Sequence, residues 1–302
     1  MNWFLIALTA PALWGLVNHL DKYIISRYFS GKGVGSLVLF TSMSGFVVAV
    51  FIVILGHDVL SFGVMSAIII AINGVILVAS FIPYLHALEK EEASTITALF
   101  QFIPVFSYFL ALFFLHEGLS AQQIFASLLV ITGAIIISLD LSVAIRFKVK
   151  PFLLMVLSAF MISISGLVFK MIAIKEDFWG TVFWEYMGGA LFGLALFLCI
   201  GLYRRQFLAT IAKGRVMVFG LNSLAEFLNI FAKLIVNFAS LLAPLALIWV
   251  VNGFQPLFVF VYGIILTLFF PHIGREALGK KSIAQKAIAI IIIFIGAYFL
   301  LG

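Results

Sequence analysis

The chain has 302 residues, of which 65% are apolar and 10% charged, with a mean hydropathy of +1.26. Soluble domains carry roughly 25% charged residues, so this composition excludes a water-soluble globular protein and leaves almost nothing for an attached receptor or kinase domain. The formal charge of +6 then reflects topology rather than nucleic-acid binding, and the single cysteine, Cys199, excludes an intramolecular disulfide or a multi-thiolate metal site.

An all-α integral membrane protein is expected. With about 20 apolar residues per span, the chain divides into ten candidate spans at charges, glycines and prolines. They cover 3–26, 36–55, 64–87, 95–115 and 121–139, then 151–174, 181–203, 216–236, 241–268 and 283–301. None alternates polar and apolar residues as a membrane barrel does, so helices are expected throughout. The first span lacks a basic n-region and a small-residue cleavage site, and is expected to be retained.

With side A defined as the side on which the chain begins, fifteen of the 18 basic residues fall on side B. They include Arg27, Lys32, Lys90, Arg146, Arg204 and Arg275, whereas Lys170, Lys175 and Lys233 fall towards side A. The positive-inside bias makes side B cytoplasmic and places both termini outside, in a plasma (inner) membrane.

The chain also repeats itself. Gln122 opens an apolar run to Gly133-Ala134, and Gln285 opens a matching run to Gly296-Ala297. Lys22 matches Lys170, and Pro104 in the fourth span matches Pro256 in the ninth. Two halves of five spans, 3–140 and 151–301, must cross the membrane in opposite senses. Ten transmembrane helices are therefore expected as two five-helix inverted repeats, with a site near the midplane between them.

The segment 87–139 resembles the carboxy-terminal part of an EamA repeat. It has Ala93-Ser94 before a short span, Pro104 within it, Glu117 after it, then Gln122 and Gly133. Trp14-Gly15 and Lys22 resemble the opening of that repeat. In the second half Gln255-Pro256 and Gln285 to Gly296 fit, but Ile162-Ser163 replaces Trp-Gly and about ten extra residues lie around 271–281. The resemblance covers nearly the whole chain and implies a member of the drug/metabolite transporter superfamily that moves a small molecule. It also implies cytoplasmic termini, opposite to the charge count, and the charge count is kept here.

The eighth span carries the most informative residues. Asn222, Glu226, Asn229 and Lys233 fall within about 60° of one another on a helix. Glu226 lies near mid-span, where a charge costs about 2.5–3.5 kcal/mol, so it must face protein or water. Lys233 is about 10.5 Å away along the axis, too far to pair with it. Glu226 is thus a coupling acid, a binder of an amine or quaternary ammonium, or part of a buried network locking helices together.

Weaker polar candidates are Asn73 in the third span, Gln101 beside Pro104, and Asn252 and Gln255 beside Pro256. A proline frees a carbonyl that nearby amides or a solute can satisfy. Trp14 and Trp249 lie deep enough to offer aromatic faces to a cation. Lys170 and Glu185 flank the short sixth-to-seventh connection and are a candidate outer gate pair. Gly189 and Gly193 allow close helix approach within or between molecules, leaving monomer and homodimer both open.

No metal and no cofactor are expected: the histidines are scattered, and GKGVG around Lys32 lacks phosphate-loop spacing. The expected function is a secondary transporter, not an enzyme. Its partners are a small-molecule solute, the lipid bilayer, and protons or a counter-solute, with no nucleic acid. A non-transporting scaffold or a lipid-carrier flipping subunit is the alternative.

Overall fold

The computed structural model describes residues 2–28, 34–90, 98–138, 149–212, 216–269 and 280–301. Every regular element among them is a helix, as it must be where no water can satisfy backbone groups. The first half supplies α1 (Asn2–Tyr28), α2 (Val34–Ile54), α3 (Val64–Leu88), α4 (Phe102–Phe114) and α5 (Ala121–Ser138). The second supplies α6 (Val149–Ala173), α7 (Phe178–Cys199), α8 (Gly201–Ala212), α9 (Val216–Ser240), α10 (Leu245–Val251), α11 (Gln255–Phe269) and α12 (Lys280–Leu301). Eight stretches are long and apolar enough to cross a membrane, counting α10 and α11 as one, and α4 and α5 are shorter apolar helices. The chain is a multi-pass membrane protein. Lys32, Arg146, Lys148, Lys213, Arg215, Arg275 and the Ala93-Ser94 pair lie outside the described residues.

Three spans differ from the sequence reading. The seventh ends at Cys199, because Ile200 is extended (φ −104°, ψ 92°) and the chain restarts as α8. In α8, Tyr203, Gln206 and Thr210 face α2, with Gln206 Oε1 accepting the Gly35 N–H at 3.0 Å, while Arg204 and Arg205 are exposed. That pattern suits a helix at the membrane surface, where the arginines stay hydrated. The ninth span is interrupted by a 3-10 turn, Asn252–Phe254, immediately before α11. Pro256 follows in the first turn of α11, where its missing N–H is tolerated. The fourth span breaks at the turn of Phe100 and Gln101, just before α4 and Pro104.

The principal helix pairs all join the two halves. Helix α1 packs on α9 and α11, α3 on α6 and α7, and α2 on α7 and α8. Helix α4 packs on α6 and α10, and α5 on α12. The α5–α12 pair is reciprocal: Gln122 donates to the Phe299 carbonyl at 3.0 Å, and Gln285 donates to the Ile136 carbonyl at 2.7 Å. Each glutamine begins its helix and reaches the end of the other, so the two helices run antiparallel.

Apolar attraction is weak between helices that lipid already solvates, so small residues and interhelical hydrogen bonds set these contacts. Gly74 on α3 lies against the Glu185 carbonyl, and Gly188 on α7 lies against the Ala71 carbonyl. Gly189 approaches Gly74 and Gly193 meets Ser42, so this glycine pair serves contacts within the molecule. Large apolar side chains such as Val47, Phe51, Phe113, Leu157, Phe227 and Phe294 stand exposed on the outside, suited to lipid.

Gly74→Val would drive a side chain into the α7 backbone. It is expected to lower stability by roughly 1–3 kcal/mol, read as a lower melting midpoint in detergent. Gly220→Ala, whose added methyl meets nothing within 4 Å, is expected to stay within about 0.5 kcal/mol of the parent.

Candidate functional site

A cavity of about 250 Å³ lies between the halves, walled by α1, α2, α3, α7 and α9 and by the interrupted segments before α4 and α11. Its wall includes Asp21, Leu37, Leu88 and Phe100, all at side B ends of their spans. In the other direction its wall stops at mid-depth, at Glu185, Lys233 and Trp249. The cavity therefore runs from the middle of the bundle towards side B.

The eighth-span stripe faces this cavity. Asn222, Glu226, Asn229 and Lys233 all line it from α9. Trp14 of α1 donates its Nε1–H to Asn229 Oδ1 at 2.8 Å. Thr41 of α2 donates to Glu226 Oε1 at 2.5 Å. Glu226 thus joins α2 to α9, as Asn229 joins α1 to α9, while Glu226 Oε2 is buried with no partner among the described residues.

Gln101, Trp249, Asn252 and Gln255 line the same cavity from the interrupted segments. Gln101 and Trp249 are buried, yet Gln101 Oε1, Trp249 Nε1 and both amide atoms of Asn252 lack partners among the described residues. An unmatched buried polar group costs roughly 1–3 kcal/mol, and these groups belong to residues that line one wall of the cavity. Tyr84 and Tyr186 also line it, whereas Trp184 is spent on the Val59 carbonyl at 3.2 Å.

Asn73 is placed differently. It is almost fully buried, and its Nδ2 donates to Glu185 Oε1 at 2.9 Å and to the Ser165 carbonyl at 3.1 Å. Asn237 donates to Glu185 Oε2 at 3.3 Å, and Lys233 Nζ stands 3.9 Å from Glu185 Oε1. Glu185 is therefore the acid of a network joining α3, α7 and α9.

The expected Lys170–Glu185 gate pair does not form. Lys170 lies near the side A end of α6, whereas Glu185 sits seven residues into α7, about 6 Å deeper. Lys170 pairs instead with Glu117 Oε1 and donates to the Ala243 carbonyl at 2.8 Å. Glu117 Oε2 accepts the Leu245 N–H at 2.8 Å. The turn that delivers Glu117 passes through His116 in the left-handed region (φ 55°), and the Glu117 N–H closes back on the Ala111 carbonyl at 3.1 Å. Side A is thus tied shut across the halves by Glu117. A second tie there runs from Ser66 Oγ to Glu176 Oε1 at 2.6 Å.

Several residues of this region were not among the sequence candidates. Asp21 and Asn18 line the cavity from α1. With Trp14 they form an i, i+4, i+7 stripe, the signal that would have found them. Thr41 carried no signal, being a lone hydroxyl in an apolar helix. Glu117 stood out as a motif residue rather than as a partner for Lys170.

No curated protein matches this sequence at a significant level. A solved crystal structure of another protein superposes on 99% of this chain and 96% of its own, with a TM-score of 0.66 at 16% identity. That likeness is one of fold. The model of the EamA-like transporter family matches residues 1–139. This segment, a little under half of the chain, supplies α1 to α5 and with them Trp14, Asp21 and Gln101 of the cavity wall.

Proposed function

We propose that the chain is a secondary transporter that carries a small solute across the plasma membrane by alternating access, driven by protons or a counter-solute. The carrying observation is the mid-depth cavity between the halves, with unmatched polar groups in its wall and a path towards one side only. Its two moving parts are the five-span halves 3–140 and 151–301. Exchanging spans one to five with spans six to ten maps α1 with α9 onto α6 with α3, α1 with α11 onto α6 with α4, and α2 with α7 onto itself, whereas α3 with α7 has no counterpart of like extent between α9 and α2. The reciprocal Gln122 and Gln285 bonds support the same inverted relation.

In this reading the structure is the state open to side B, which the charge asymmetry makes cytoplasmic, with both termini outside. Glu117 is the outer latch. Opening side A requires Glu117 to leave Lys170 and the Leu245 N–H, while the side B ends of α1, α3 and α9 close over the solute.

Single-cysteine labelling tests the access state, in a Cys199→Ser background. Asn18→Cys is expected to react with a membrane-impermeant maleimide from side B alone, and Leu245→Cys to resist it. Adding Glu117→Gln is expected to make Leu245→Cys reactive from side A. Reaction of Asn18→Cys from side A alone would reverse the assigned opening.

Transport itself is tested by counterflow in proteoliposomes against panels of amines, amino acids and sugars. Exchange of at least one class is expected, with loss in Glu226→Gln. A correctly folded protein that exchanges no class would overturn the transporter reading.

A further inference from the structure

The polar groups of the cavity are unevenly distributed, and the pattern specifies a charge. Asp21 on α1 and Glu226 on α9 both face the cavity, close enough to interact electrostatically. Lys233, the one basic side chain among the described lining residues, is directed to Glu185 at 3.9 Å. Two carboxylates sharing an enclosed, poorly solvated space repel, and a cation or a proton between them relieves that repulsion. Glu226 Oε2 is already stripped of partners among the described residues.

The rest of the wall selects the kind of cation. Trp14, Phe40, Phe81, Tyr84 and Phe100 line the same space, and aromatic faces attract organic cations. A volume of about 250 Å³ far exceeds a metal ion, and hard ions need six or more oxygen ligands rather than aromatic walls. On the wall built from the interrupted segments, Gln101 Oε1 and Trp249 Nε1 are an acceptor and a donor of side chains more than nine-tenths buried, and both residues line the cavity. Neither has a protein partner among the described residues.

We propose that the cavity binds an organic amine, with its ammonium held between Asp21 and Glu226 and a hydroxyl or amide at its far end held by Gln101, Trp249 and Asn252. The inference rests on the transporter reading for its biological sense and names the solute class of that site. Glu226 is a binding residue in this assignment, and Asp21 is its partner across the cavity. Thr41 positions Glu226 by a hydrogen bond to its carboxylate.

Three probes of nearly one shape test the charge: tyramine, its neutral isostere tyrosol, and the anion 4-hydroxyphenylacetate. Binding to the purified full chain is measured by calorimetry, and exchange by counterflow in proteoliposomes. Tyramine is expected to bind on the order of tenfold or more tighter than either isostere, and to lose a similar factor in Asp21→Asn and in Glu226→Gln. Phenethylamine, lacking the hydroxyl, is expected to bind more weakly than tyramine while keeping the charge preference.

Equal binding of tyramine and tyrosol, or full tyramine affinity in both variants, would overturn the amine assignment. If either variant fails to fold, the three probes on the parent protein decide alone. Exchange of tyrosol or of the anion without tyramine would sink the amine assignment and leave the transporter reading standing. Charge-selective tyramine binding without exchange of any solute would do the reverse.

Discussion

A carboxylate held at mid-depth in an apolar bundle is the constraint around which this structure is organised. Insertion of such a charge costs about 2.5–3.5 kcal/mol, and the cost is recovered only where donors or cations converge on it. Two acids in this protein meet that demand in different ways. Glu185 collects Asn73, Asn237 and Lys233, and so fastens α3, α7 and α9 together. Glu226 accepts from Thr41, and its other oxygen is buried with no partner among the described residues. The first acid clasps three helices, and the second lines the cavity.

The surrounding architecture follows from what lipid does and does not drive. Large apolar side chains face outward, and the inward contacts depend on small residues such as Gly74, Gly188 and Gly193, which bring backbones close. Because the principal helix pairs join one half to the other, a rocking motion has to exchange interfaces between the halves rather than bend either half. Glu117 sits at one end of that interface, joined to Lys170 and to the Leu245 N–H. Towards the opposite end runs the cavity. Under the proposed mechanism, closure on one side and access on the other are two ends of a single inter-half seam.

Much of this was legible in the sequence because the membrane imposes strong rules. Apolar runs marked the spans, and the spacing of Asn222, Glu226, Asn229 and Lys233 identified the helix face that lines the cavity. Gln101 and Asn252 were found because each stands beside a proline that interrupts its span. Residues needing tertiary knowledge escaped. Asp21 lies next to Lys22 near a span end and reads as an interface residue, although Trp14, Asn18 and Asp21 share one helix face. Lys170 was matched with Glu185 through chain proximity, yet its partner Glu117 lies more than fifty residues earlier, and only packing brings them together. Asn73 shares a depth with the cavity but faces Glu185, a direction that helical period alone does not reveal.

The central claim is a two-sided exchange of access about a fixed mid-depth site. The most direct measurement is a pair of spin-label distances in a Cys199→Ser background, in lipid nanodiscs. One pair joins Gly118 to Leu242 at side A, and the other joins Glu89 to Phe219 at side B. The account predicts a short side A and a long side B distance without solute, and opposite shifts of the two when a transported solute is added. Distances that stay fixed, or that lengthen together, under every solute tested would contradict it.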